Sequence, residues 1–191
     1  MNMPERYVNL DFHIDTNRIN SKAQLNHMNM LEHWHEVDVI SIEMSHIAQE
    51  EATQGRNSPR TEKAYTYIAT ETLASTRSEQ ELLIQIQDIL FPHGVKSQSE
   101  RNDVEIVFNA HKYGAILVTA DGASKRQPNG ILGNAETLRR LRIQVLRDDE
   151  AVELVKQKIQ NRDQRARRVS QITGQELPTW VGRDLDIFRA P

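Results

Sequence analysis

Ala115-Ile116-Leu117-Val118-Thr119-Ala120-Asp121-Gly122 is a short apolar run that stops abruptly at an acid and a turn residue. A run of this length and character suits a strand of a parallel sheet buried on both faces. Upstream, Val8, Leu10, Phe12 and Ile14 alternate with Asn9, Asp11 and His13, which predicts another strand, also ending at an acid, Asp15. The β-branched stretch 37–42 predicts a second strand, and residues 143–146 predict one after the apolar run. Helical spacing fills the intervals. Leu25, Met28, Leu31 and Trp34 mark the first helix, with Trp34 expected in the core, and Ser45 serves as N-cap for a helix carrying Ile47, Ala48 and Glu51. Residues 61–75 (Tyr65, Ile68, Ala69 on one face) and 79–90 predict two more helices. Asn102 is the expected cap of another, with Glu105 in capping-box position. A helix over 135–141 and a final helix from about Asp149 complete the succession β-α-β-α-α-α-α-β-α-β-α. Strands alternating with helices imply a parallel sheet with right-handed crossovers and helices on both faces.

The chain has 191 residues, 38% apolar and 27% charged, with a net charge of −3. These values fit a globular domain and exclude disordered, collagenous and membrane classes. Zero cysteine excludes a disulfide framework, a thiolate nucleophile and thiolate metal sites, so any metal chemistry rests on oxygen or imidazole ligands. The first seven residues lack the apolar core of a secretory signal, and no run approaches a membrane span, so the expectation is a cytoplasmic protein. The small net charge conceals a polarity. Lys156, Lys158, Arg162, Arg165, Arg167 and Arg168 stand against the single acid Asp163 within residues 155–170, leaving the remainder acidic. This basic helix can be an RNA-docking face or simply a solvated one. From about Gln171 the composition predicts an extended tail in which Trp180 and Phe188 cover apolar surface.

In an open parallel sheet ligands bind beyond the carboxyl ends of the strands. Asp15 and Asp121 both occupy that position, Asp103 starts the helix leading into the strand that ends at Asp121, and Glu50 or Glu51 follows the second strand. Carboxylates packed together repel unless a hard divalent cation neutralises them or some stay protonated. Such a cluster suits phosphodiester hydrolysis, in which one ion activates a water and another stabilises the leaving oxygen. Each acid also has a plainer reading, Asp15 and Asp121 as turn residues and Asp103 as a favourable charge at a helix N-terminus.

His13-Ile14-Asp15-Thr16-Asn17 resembles the opening segment of PIN-domain proteins. Asn102-Asp103-Val104 onward and Leu117-Val118-Thr119-Ala120-Asp121 resemble that family's second and third acidic segments, and residues 134–145 its closing helix and strand. The resemblance covers residues 7–155, leaving 156–191 as a basic helix and tail. It implies a three-layer α/β/α sandwich on a five-stranded parallel sheet and a Mg²⁺- or Mn²⁺-dependent ribonuclease. Asp15, Asp103 and Asp121 would bind metal, with Asn17 supporting the first and Thr119 orienting the last. Glu51 would be the helix carboxylate, with Glu50 and Glu43 as rivals. A toxin or RNA-processing role, an antitoxin partner and a homodimer are implied by the same resemblance.

A non-catalytic RNA-binding or scaffold module on this fold is the alternative, since fold does not determine function. A phosphatase or receiver domain ranks last, because no Asp-x-Asp occurs at Asp15. The seven histidines match no imidazole ligand pattern. His33 and His35 are expected at the surface, and His46 is a candidate phosphate donor. Arg18, Arg56, Arg60, Lys63, Lys125 and Arg126 are candidate contacts around the acids.

Overall fold

The computed structural model describes residues 2–54, 57–71, 73–122 and 129–186. Five strands, β1 (Asp11–Ile14), β2 (Ser41–Ser45), β3 (Ile68–Thr70), β4 (Ile116–Val118) and β5 (Val145–Leu146), form one parallel sheet in the order β3-β2-β1-β4-β5. Helices α1 (Asn26–Glu36), α2 (His46–Thr53), α3 (Ser58–Ala64), α4 (Arg77–Leu90), α5 (Gln98–Lys112), α6 (Gly130–Gly133), α7 (Ala135–Arg140) and α8 (Asp148–Thr173) flank it. The architecture is a three-layer α/β/α fold, with α1 packed on α8 and α4 packed on α5. Strand order reverses at β1, whose neighbours are β2 on one side and β4 on the other. That reversal opens a crevice at the carboxyl ends of β1 and β4.

Apolar burial holds the sheet together. Phe12, Ile14, Ile42, Met44, Leu117 and Val118 are essentially inaccessible, as are Met28, Leu31 and the expected core residue Trp34 on α1. Each such side chain contributes roughly 1.5–3 kcal/mol through removal from water. His13, on the polar side of the alternating first strand, is buried too, because its face of the sheet is also covered. Its ring lies 5.7 Å from that of Tyr113, next to the end of α5.

Four expectations need correction. The second strand lies at residues 41–45, since residues 37–40 form a turn with Asp38 at a φ of +59°. The helix expected over 61–75 ends at Ala64, and Ile68–Thr70 instead adds the outer strand β3, leaving Tyr65 and Ile68 exposed. α5 begins at Gln98 with Ser97 as its cap, accepting from the Glu100 amide at 3.2 Å. Asn102 is therefore inside the helix and buried, and Asp103 lies beyond its first turn. Lastly, the segment after α8 folds back in turns at residues 179–185 instead of extending.

A buried charge network fixes that return. Arg162 donates to Asp163 at 2.7 Å and to Asp184 at 2.9 Å, and stacks 4.2 Å from the Trp180 ring centroid. Arg6 donates to Asp184 at 2.6 Å, and the Trp34 indole donates to the Asp184 carbonyl at 2.8 Å. Phe188 lies outside the described residues. No helix among the described residues is long and apolar enough to cross a membrane.

Candidate active site

The crevice at the strand reversal is an open cleft of about 420 Å³ lined by Asp15, Glu51, Asp103 and Asp121, with Thr16, Asn17, Asn102 and Arg60 among its other walls. Asp15 follows β1 directly, and its amide donates to the Val118 carbonyl at 3.0 Å, which seats it against β4. It is 6% exposed. Its Oδ2 accepts from Asn17 Nδ2 at 2.5 Å and from Thr119 Oγ1 at 2.6 Å. Asn17 Oδ1 accepts in turn from the Ala120 amide at 2.9 Å, so Asn17 bridges the ends of both strands. Thr119 Oγ1 also accepts from the Asp121 amide at 2.9 Å. The two expected supporting residues thus form one neutral lattice around Asp15; Thr119, expected to orient Asp121, holds the Asp15 carboxylate instead and meets Asp121 only at its main-chain amide.

Asp121 is held from the far side. Its Oδ2 accepts from the Ile131 amide at 2.8 Å and its carbonyl from the Leu132 amide at 3.0 Å. This clasp requires glycine at 130, where φ is +58° and an added Cβ would meet the Gly122 carbonyl oxygen at 2.1 Å.

Glu51 is the helix carboxylate that reaches the cleft. α2 starts where Ser45 accepts from the Ala48 amide at 3.1 Å, as expected, and Glu51 projects from its second turn. Thr16 Oγ1 donates to Glu51 Oε2 at 2.9 Å and Asn102 Nδ2 to Oε1 at 2.5 Å. Its rivals lie elsewhere. Glu50 is exposed on α2, and Glu43 sits on β2 beside His13, its Oε2 3.4 Å from the imidazole Nε2. From sequence alone Thr16 has no role and Asn102 only that of a helix cap. The Asp-Thr-Asn and Asn-Asp pairings that carry them were the available signal, but a cap reading claimed Asn102 first.

Asp103 completes the set. Burial first, then the charges of Asp15, Asp121 and Glu51, with Glu100 beyond them, push its carboxyl up to about 8. Asp15 is raised as well, chiefly by burial, with Glu51 and Asp121 adding to the effect and the Thr119 and Thr16 hydrogen bonds opposing it. The acids therefore feel one another strongly, as like charges in a partly dry crevice must. The donor set is all oxygen, the chemistry that hard divalent cations select. As the side chains stand, no group of three or more His, Asp or Glu among the described residues is close enough to hold one ion together.

The expected cationic contacts divide. Arg60 reaches the cleft, donating to the Thr16 carbonyl at 2.7 Å. Arg18 pairs with Asp148 at 3.4 Å and Lys63 with Glu32 at 3.1 Å. Arg56, Lys125 and Arg126 lie outside the described residues. His46 faces the Thr70 carbonyl at 3.3 Å and is not part of the cleft lining. His35 is half-buried rather than at the surface, accepting from the Ile42 amide at 3.3 Å, and His33 is half-buried too.

No protein-family model matches the chain, and no curated protein matches it.

Proposed function

We propose that this cleft is the active site of a metal-dependent endoribonuclease of the PIN type, hydrolysing phosphodiester bonds of single-stranded RNA. The observation that carries the reading is the meeting of Asp15, Glu51, Asp103 and Asp121, from four separate parts of the chain, in one crevice at the strand reversal. A fold bears such mutual repulsion most readily where a cation is bound in use.

Asp15, Asp103 and Asp121 would hold Mg²⁺ or Mn²⁺, which supplies activation of a water and charge stabilisation of the leaving oxygen. The chain's own part is positioning. Asn17 and Thr119 fix Asp15, and the Ile131 amide fixes Asp121. Thr16 and Asn102 hold Glu51 from two sides, leaving it to accept a proton from the attacking water. The Arg60 guanidinium, anchored on the Thr16 carbonyl, supplies a donor for a substrate phosphate at the rim. Such an enzyme would act in the cytoplasm in RNA processing or as a toxin, in the latter case with an antitoxin partner, and as a homodimer.

Cleavage of end-labelled single-stranded RNA by wild type, Asp103→Asn and Asp121→Asn, with Mn²⁺, Mg²⁺ or EDTA, tests the reading. Metal-dependent cleavage that both variants lose supports it. Folded wild type that cuts nothing with either metal overturns it in favour of a non-catalytic RNA-binding module, and variants that keep full activity overturn the site assignment.

A further inference from the structure

The six cations of the basic helix are not equivalent. Lys156 pairs with Glu153 at 2.7 Å, and Arg162 is buried with its charge met by Asp163 and Asp184. Lys158, Arg165 and Arg168 are exposed, and no ion pair engages them among the described residues. At 100° per residue these three and Asn161 fall within a stripe about 80° wide and about 15 Å long, whereas Arg167 lies on another side. The lone acid of this stretch, Asp163, is buried, so the stripe displays positive charge without a negative neighbour on its own helix.

A groove of about 410 Å³ runs between this stripe and the N-terminal segment 3–9, with Lys158, Asn161 and Arg165 along one wall. The groove is held in shape from below. Arg162, fixed by its two aspartates, donates to the Arg6 carbonyl at 2.5 Å and ties the opposite wall to α8. Glu5 is its one acid. Helix α8 starts at Asp148, which pairs with Arg18 beside the acidic cleft, so Lys158 lies about 15 Å and Arg168 about 30 Å along the helix axis from that end.

We infer that the Lys158–Arg165–Arg168 stripe and its groove bind the phosphate backbone of a single RNA strand, at a surface separate from the acidic cleft. The composition favours nucleic acid over a protein partner. Apart from Ile172 beyond its end the stripe has no large apolar side chain, and the apolar residues of the groove, Met3, Pro4, Tyr7 and Val8, are confined to its N-terminal wall, so the stripe lacks the desolvated centre on which protein interfaces depend. A polar, cation-rich surface is the usual make-up of a nucleic-acid contact. The ligand class is that of the proposed activity, but the surface needs no metal and no cleavage, so the two readings fail independently.

The test measures binding of a fluorescein-labelled single-stranded RNA in EDTA, against salt concentration. It compares wild type, Lys158→Gln/Arg165→Gln/Arg168→Gln, and the charge-matched control Lys22→Gln/Arg77→Gln/Arg140→Gln. All six positions are exposed, so the variants should fold. Each lost phosphate contact lowers the slope of log K on log salt by about 0.7, so the stripe variant should lose about 2 in slope and roughly a hundredfold in affinity at 0.1 M salt. The control should keep the wild-type slope. Equal losses in both variants reduce the effect to net charge and overturn the assignment, as does a stripe variant with the wild-type slope, or wild type that binds no RNA at low salt.

Discussion

Replacing Asp103 with asparagine should stabilise the metal-free protein, by an amount that grows with pH. The Asp103 carboxyl keeps its proton up to about pH 8 in the fold, against an ordinary value of 3.8. Between those values the folded chain binds more protons than the unfolded one, so its stability falls as pH rises through the window. Asparagine does not ionise and removes that loss. A shift of this size, at 1.36 kcal/mol per unit, sets an upper bound of about 6 kcal/mol. Water and counter-ions entering an open cleft lower the realistic gain to roughly 2–4 kcal/mol. For a chain of this length that is roughly 5–15 °C in Tm. The assay is thermal unfolding of both proteins in EDTA from about pH 5 to about pH 8.5, where the gap should widen towards the alkaline end. The buried His13, whose pKa is lowered chiefly by burial, changes stability equally in both proteins and cancels. A gap that stays constant with pH, or a variant less stable than wild type at the alkaline end, would refute the crowding of charge at this position.

The other predictions concern the parts that hold the cleft and the return of the chain. Asp184→Ala removes the carboxylate that Arg6 and Arg162 share, leaving Arg162 only Asp163, and should cost about 1.5–3 kcal/mol by urea unfolding; a loss below about 1 kcal/mol would mean that residues 175–186 are not part of the folded unit. Gly130→Ala must move the Gly122 carbonyl or the Asp121 clasp, and should lower RNA cleavage more than Gly174→Ala, whose added Cβ meets nothing within 4 Å, as compared by initial rates. Asn102→Ala removes one of the two donors on Glu51, so kcat should fall on the order of tenfold while far-ultraviolet circular dichroism stays unchanged; unchanged kcat would separate Asn102 from catalysis.

The sheet was legible where burial was two-sided or alternation was clean. The run ending at Asp121, the end of the first strand before Asp15 and the Ser45 cap read correctly, because each signal was local, whereas that strand begins at Asp11 rather than Val8 and buries His13 along with its apolar neighbours. β3 was hidden for a physical reason. An outer strand of three residues with Ile68 and Ala69 exposed has no buried alternation, and Tyr65, Ile68 and Ala69 happen to fall at helical spacing. Asn102 was misread because its chemistry suits a cap, while only the tertiary fold reveals that Ser97 takes that role and that Glu51 arrives opposite it. Asp15 and Asp121 were legible through their places after strands, and Glu51 and Asp103 through their helices, but the donors that orient Glu51 come from distant segments with no sequence periodicity to announce them. The basic helix likewise read as one uniform feature. Burial of Arg162 with Asp163 and Asp184 divides it into an internal clamp and an external stripe, a distinction that depends on residues 22 positions apart.

Titration of Mn²⁺, with the free ion followed by electron paramagnetic resonance, tests the central claim most directly, because it reads the cleft without needing the right RNA. Wild type should deplete the free-ion signal with saturation, while Asp15→Asn and Asp103→Asn, folded by circular dichroism, should leave most of it free. A wild type that leaves the signal intact, or variants that bind Mn²⁺ as wild type does, would contradict the assignment of Asp15, Asp103 and Asp121 as a divalent-cation site.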